Sequence, residues 1–442
     1  MSVSAALFLV LVGVSAGAWV YDGELDSSWS GNGLATWGDP GTVTTGRGIA
    51  MQCDGKILVA GVTNVGGDPS DLMVARFNSD GSLDTSFASA GIFTISPQSF
   101  GAAGWDVAVQ PDEKIVVVGY SAQALSGTSF LVVRLTAAGV LDTSFSGDGI
   151  QIFNFGSHAR AHAVEIQDDG GIVVVGETLN QTAIAVARLT LSGELDATFD
   201  TDGLATFDFI FGDDKGWDVV VQDDGRILVV GSASVGVDTV FVVLRLLTDG
   251  SLDTSFGSGA GGVAAVDFGT DSLGRAIALQ PDGRMVVAGV TGNPTAMAVA
   301  RLTSAGILDS SFSGDGKAIF DLNPGQETAL DVAMMGDGRI IVVGSLTFDG
   351  FNYLALVRFS ADGDLDLSFG GGTGWVPYLE DGAFGRGLVI QPVDRKVVAS
   401  GFVENSVTEV FMKVIRVTGD GNLIFAADFE CGNTDVWSTS VP

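Results

Sequence analysis

Short apolar runs recur along this chain, each closed by a glycine and introduced by a polar turn. ILVAG at residues 57–61, IVVVG at 115–119 and 172–176 and MVVAG at 285–289 are continuous rather than alternating. Runs of this kind fit strands covered on both faces by neighbouring sheets. Asp-Gly stands before most of them, at Asp54-Gly55, Asp169-Gly170, Asp224-Gly225, Asp282-Gly283 and Asp337-Gly338. That dipeptide supplies positive φ angles and predicts a tight two-residue hairpin. Asp112-Glu113 and Val393-Asp394 take its place in the second and last units, so looser turns are expected there. One unit read from Ser144 predicts a turn at 144–149, a short strand at 150–155, a variable loop at 156–161, and strands at 163–167, 172–176 and 183–189.

The pattern has a period. A turn of the form RLLTDGSLDTSF (245–256) recurs, and its glycine falls at Gly23, Gly81, Gly139, Gly193, Gly250, Gly306, Gly363 and Gly421. The steps by subtraction are 58, 58, 54, 57, 56, 57 and 58, which marks a repeat architecture. An arginine stands five residues before the glycine, at Arg76, Arg134, Arg188, Arg245, Arg301, Arg358 and Arg416. An aspartate follows three residues after it, at Asp26, Asp84, Asp142, Asp196, Asp253, Asp309 and Asp366. The two sets are offset: Asp26 has no arginine upstream, and Arg416 is followed by Leu423-Ile424 with no aspartate. The start of the chain holds what its end lacks, as in a ring cut inside one unit. The expected fold is therefore all-β, a seven-bladed β-propeller of four-stranded antiparallel blades closed by the N-terminal strand. A right-handed β-helix has shorter coils and leaves the offset unexplained. Each repeated arginine is expected to pair with its turn aspartate and to satisfy carbonyls at the end of its own strand.

The recurring GxLDxSF, GDG, QPDGKIVVAG and FxxxRL elements, in fixed order from about residue 21 to residue 423, resemble the delta-60 repeat of exported bacterial proteins. The resemblance implies a propeller-like exported protein and no particular activity. The full Gln-Pro-Asp-Gly form stands only at 280–283.

Charge and composition narrow the function. The 442 residues carry a net charge of −32 and 63 glycines, as a turn-rich, solvated surface would. No basic footprint for nucleic acid is visible. Residues 1–20 are nearly all apolar and Ala16-Gly17-Ala18 fits a cleavage site, so 1–18 reads as a signal peptide cleaved before Trp19. No Lys or Arg precedes Arg47; a misplaced start or a retained anchor over residues 3–20 stays open. The propeller is expected over 19–425 and a tail over 426–442, whose DFECGNTDVWS is similar to a short C-terminal tag of some exported proteins. Cys53 and Cys431 are too few for a disulfide framework or a zinc site, and whether they pair is left open.

Candidate chemistry is sparse. His158 and His162 lie in one loop. Asp362, Asp364 and Asp366 form one Asp-x-Asp-x-Asp, a weak Ca²⁺ candidate, since other units put Ala or Ile at these places. No other metal or cofactor is expected. A ligand site in a ring must break the repeat. Aligned on Gln52, Gln110, Gln167, Gln222, Gln280, Met335 and Gln391, two columns do so. Five residues earlier stand Arg47, Trp105, His162, Trp217, Arg275, Leu330 and Arg386. Four earlier stand Gly48, Asp106, Ala163, Asp218, Ala276, Asp331 and Gly387. Packing between blades and a channel-mouth ligand site both account for them. In a site, Trp would stack on the ligand, Arg bind anions and Asp accept from hydroxyls. The expected function is an exported, non-catalytic scaffold, monomeric and without a membrane span after cleavage, that binds protein or carbohydrate at or outside the cell envelope. The alternative is a propeller hydrolase or lyase using Asp106, Asp218 or Asp331 on a polysaccharide or other polar substrate.

Overall fold

The computed structural model describes residues 22–418, apart from 39–40, 66–69, 99, 124–126, 157, 179–182, 210–213, 236–237, 260, 293–294, 323–324, 349, 379–381, 393 and 407–408. The leader, the tail and Cys431, with its open pairing to Cys53, lie outside the described residues. The fold is all-β, with 28 strands in four-stranded antiparallel sheets. Five sheets stand alone, each built of four consecutive strands; one begins with Ala102–Val109, Ile115–Gln123, Gly127–Leu135 and Ile150–Phe153. The remaining eight strands form two such groups joined by a single parallel bridge, Val43 to Val410. In one of these groups Leu34–Trp37 pairs with Glu409–Val417, Leu34 opposite Ile415 and Trp37 opposite Met412.

The continuous apolar runs are explained by burial on both faces. Ile115 and Val117 pack against Leu58 and Ala60 of the preceding sheet. Val116 and Val118 point the other way, against Ile172 and Val174 of the following one. No side of such a strand meets water, so no alternation is written into it. The core is a chain of inter-sheet clusters, and one of them joins Ile57 and Val59 to Val398 and Val414. First strands also touch in sequence, and Ala383–Ile390 touches Thr42–Met51.

The repeated arginine and aspartate pair as expected, with Nε to Oδ2 distances of 2.7–2.9 Å in six units. Arg416 reaches Asp26 at 2.7 Å through Nη2 instead. The carbonyl partner differs from expectation. Arg134 Nη1 donates not to its own strand but to Leu191 O of the next unit at 2.5 Å, and Arg245 likewise to Ser304 O at 2.6 Å. Arg358 finds the Asp22 carboxylate at 3.2 Å. The same guanidinium lies 4.5–5.0 Å from the buried phenylalanine that ends its motif, from Phe87 to Phe369. That ring in turn carries the marker glycine of the next unit. A Cβ at Gly139 would lie 2.6 Å from Phe87, and one at Gly23 would lie 2.6 Å from Phe369. Trp29 plays the part under Gly81.

Two turns correct the sequence reading. Gly55 N donates to Gln52 O and Gln52 N to Lys56 O, both at 2.9 Å. The loop is thus three residues long, with only Gly55 left-handed at φ 80°. Glu113 takes that conformation at φ 64° with the same two bonds, at 2.8 Å each. The second turn is therefore no looser, and Glu113 Oε2 accepts from Gln52 Nε2 of the preceding unit at 2.9 Å. In the last unit the turn is one residue longer, closed by Arg395 N on Gln391 O at 2.9 Å.

Gly139 and Gly147 separate backbone freedom from close packing. Both are left-handed, at φ 81° and 86°, but a Cβ at Gly147 meets nothing within 4 Å. Gly147→Ala is expected to cost about 1 kcal/mol. Gly139→Ala must also displace the Phe87 ring and is expected to cost more than about 3 kcal/mol. Urea denaturation midpoints of the two variants check the contrast.

Candidate functional site

Each first strand carries a β-bulge, and the repeat-breaking residue is the bulged one. Pairing to the second strand skips from Gly104 to Asp106 past Trp105, and from Ala161 to Ala163 past His162. It skips in the same way past Trp217, Arg275, Leu330 and Arg386, and past Arg47 and Gly48 together. A bulge re-aims the extra side chain off the ladder. Its backbone has a fixed requirement: the glycine that ends each apolar run. A Cβ on Gly119 would sit 1.8 Å from Ala103 O, and one on Gly344 1.7 Å from Thr328 O. No side chain fits there, so the glycine of IVVVG is the socket for the bulged strand opposite.

All the aligned residues meet in one cavity of about 380 Å³, lined by Arg47, Trp105, Asp106, His162, Trp217, Asp218, Arg275, Leu330, Asp331 and Arg386 with the small residues between them. They stand halfway along their strands: Trp105 is fourth of eight in Ala102–Val109. His162 lies within Ala159–Ile166, not in a loop, while His158 sits apart against Gly127.

The carboxylates form one tier. Asp106 Oδ1 accepts from its neighbour Val107 N at 2.8 Å, and Oδ2 from Val164 N of the next sheet at 3.0 Å. Asp218 does the same with Val219 N and Ile277 N, both at 2.8 Å. Asp331 bonds Val332 N and Leu388 N, both at 2.7 Å. One aspartate thus serves two sheets, so it is needed only in every second unit. The residue beside it must be small: a Cβ on Gly48 would lie 2.6 Å from Asp106 Oδ1. The alternation meets itself where Gly387 and Gly48 are neighbours, and there Ser400 Oγ donates to Arg47 O at 2.8 Å. Sequence alignment on Gly401 could have revealed Ser400, a hydroxyl in an otherwise apolar column. Burial raises Asp106 to about 6 and Asp218 to about 7, the latter also through repulsion from Asp106. Asp331 is pushed well up by burial and by Asp218.

The larger side chains form a second tier, a stack running across consecutive units. Arg275 lies 3.8 Å from the Trp217 ring, Trp217 stacks on His162 at 4.3 Å, His162 tilts against Trp105 at 4.9 Å, and Arg47 lies 4.2 Å from Trp105. The indole faces are therefore covered by protein and do not offer a ligand the stacking surface expected from sequence. His162 Nδ1 donates to Gly216 O at 2.8 Å, and burial drops its pKa to about 3. Its neutral ring is a spacer between indoles.

Two buried acids at strand heads escaped the sequence reading. Asp214 Oδ2 accepts from Phe209 N at 2.6 Å, and Glu327 is pushed to about 7 by burial and by Asp321. They share one column with Thr44 and Ser272, three residues before the bulged residue of each first strand. In the weak Ca²⁺ candidate, Asp366 is held by Arg358 at 2.7 Å and by Ser368. Among the described residues no three His, Cys, Asp or Glu side chains form a group that could hold a metal ion.

Six segments of the chain match one family model. Residues 52–87, 110–145, 167–199, 222–256, 280–312 and 336–369 match a family described as a domain of unknown function (DUF5122) beta-propeller. The matched segments run from the hairpin turn to the aromatic residue under the next marker glycine, and every channel residue falls outside them. No curated protein matches the chain. Among solved structures, polysaccharide lyase Uly1 is similar with a TM-score of 0.47 and 11% identity, over 84% of this chain and 89% of that one. An ulvan lyase of a new polysaccharide lyase family is similar at 0.45 and 11%, over 91% and 96%. A protein of unknown function from Dyadobacter fermentans is similar at 0.44 and 11%, over 87% and 99%. At these identities and scores the likenesses carry no argument about activity.

The raised carboxylates make stability depend on pH. Folded Asp106 and Asp218 hold protons that the unfolded chain releases near pH 4, so stability falls as pH rises from about 4 to 7. The turn aspartates, held below their usual range by Ser and Arg partners, are ionised throughout that window and do not oppose it. Glu327 adds to the same slope. Asp218→Asn is expected to remove part of the loss in stability between pH 4.5 and 7.5, read by urea melts at the two pH values.

Proposed function

We propose that this chain is a seven-bladed β-propeller of the delta-60 type, exported after cleavage before Trp19. Residues 19–425 make the ring, and residues 426–442 are a tail. Leu34–Trp37 closes the ring as the outer strand of the last blade. Its pairing with Glu409–Val417 supports this, as do Gly23 on Phe369, Arg416 beside Asp26 and the contact between the first and last inner strands. Removing residues 22–38 is then expected to strip hydrogen-exchange protection first from 410–417, and unchanged protection there would reject closure.

The ring serves as a monomeric, non-catalytic scaffold that binds a protein or carbohydrate at or outside the cell envelope through its channel. The observation that carries this reading is the engagement of every candidate acid–base group in the fold. Each channel carboxylate already bonds two backbone N–H groups across a sheet boundary, and His162 is locked between two indoles. A hydrolase or lyase acting on a polysaccharide is the second reading. It draws on Asp106 and Asp218 titrating at about 6 and 7, which suits a general acid near neutral pH.

Incubation with acidic and neutral oligosaccharides, oligogalacturonides and xylo-oligosaccharides, separates the two. The scaffold reading expects saturable quenching of tryptophan fluorescence with the sugars recovered intact by mass spectrometry. Cleavage by the wild type that is abolished in Asp218→Asn would transfer the site to the enzyme reading.

A further inference from the structure

The inference rests on the channel being the binding site and concerns what it binds. Three guanidiniums line the cavity: Arg47, Arg275 and Arg386. The stack from Arg275 to Arg47 spans five consecutive units, and Leu330 and Arg386 occupy the units that remain. All three arginines therefore border one sector, with an apolar leucine as its only other large side chain.

These cations differ from the repeated arginines of the inter-unit staples. The chain has 53 acidic and 21 basic residues, and each repeated arginine holds a carboxylate. Among the described residues, Arg47, Arg275 and Arg386 have no carboxylate within 4 Å. The acids that act on them from further off are Glu177 on Arg275 and Glu404 on Arg386. The aspartates of the same channel are turned to backbone N–H groups on the other tier. Arg386 repels the other two, which together with burial lowers Arg47 and Arg275 to about 10. Three like charges are thus gathered with no carboxylate in direct contact.

The unsatisfied hydrogen-bonding groups have one sign as well. Trp105 Nε1, Trp217 Nε1, Arg275 Nε and Arg386 Nε are buried and without a partner. All are donors. A cavity whose unmet needs are donors and positive charge is completed by an acceptor-rich, negatively charged ligand. Its volume of about 380 Å³ suits a small molecule.

We propose that the sector between Arg275 and Arg47, bounded by Arg386 and Leu330, is a site for a small oxyanion, a molecule bearing carboxylate, sulfate or phosphate oxygens. The planar forks of the arginines take such groups in two-point contact. Ligand oxygens supply the missing acceptors, and ligand charge relieves the repulsion that Arg386 exerts on its neighbours.

Titration calorimetry and thermal melts with sodium citrate and sodium sulfate test this, against sodium chloride at equal ionic strength. The wild type is expected to bind one citrate per chain and to melt higher in citrate or sulfate than in chloride. Arg275→Gln and Arg386→Gln are expected to weaken citrate at least about tenfold, whereas Lys56→Gln on an exposed turn should not. Arg386→Gln also removes a like charge, so its melting temperature in chloride should equal or exceed that of the wild type. That comparison separates loss of the site from loss of the fold. Equal binding by wild type and Arg386→Gln, or no difference between the salts, would overturn the oxyanion site. If xylo-oligosaccharides still quench the channel tryptophans in that case, the scaffold reading stands while the oxyanion assignment falls.

Discussion

The guanidinium at the end of each third strand is the interaction on which the repeat depends. In most units it grips its own turn aspartate at 2.7–2.9 Å, lies over its own phenylalanine and donates to a backbone carbonyl of the next unit, while Arg358 meets the Asp22 carboxylate and Arg416 lies over Trp29. That next turn can approach only because its glycine has no Cβ to strike the phenylalanine ring. Orientation, more than net energy, is what such a buried pair provides. Desolvation offsets much of its Coulomb gain, whereas removing one partner leaves a buried charge that costs about 3–5 kcal/mol. Sheets with mainly small aliphatic faces can slide on one another. The staple fixes each sheet to the next at one place.

This staple explains what was legible in the sequence. Arg, Asp, Gly and Phe stand at constant offsets because all four touch one another across a single boundary. Their spacing therefore carried the architecture, including the offset between the chain ends. Asp26 meets Arg416, and Leu34–Trp37 pairs with the strand that holds Arg416. What the spacing did not carry was direction. The arginine reaches the next unit rather than its own strand, a relation that one period of sequence cannot distinguish from the local one. Glu113 was misjudged for a related reason. Its strained backbone is held by a side-chain bond to Gln52 of the unit before, which turn chemistry alone does not reveal.

The channel was legible as a place and not as a geometry. Two columns broke the repeat, and the structure gathers both in one cavity. The bulge that separates them into tiers has no local sequence sign; its requirement is a glycine on the opposite strand, already accounted for as the end of an apolar run. Without the bulge, neighbours such as Trp105 and Asp106 would face opposite sides of the sheet. With it, both reach the channel, one upward into the stack and one across to Val164 N. The expected stacking of ligand on tryptophan fails for a like reason. Arginine and histidine from adjacent units already cover the indoles, and those contacts join residues more than fifty positions apart.

The electrostatics of the channel must be weighed against a net charge of −32. The surface repels anions at long range, yet the repulsion decays over about 8–10 Å at physiological ionic strength. The three arginines without a carboxylate in contact line one cavity, where low-dielectric walls concentrate their field. The two effects act on different ligands. A long polyanion that threads the channel leaves most of its charge against the acidic exterior. A small anion places all of its charge beside the arginines. On the oxyanion proposal, the acidic surface works more strongly against the larger competitor than against the smaller one, and selectivity would come from repulsion outside as well as from attraction within.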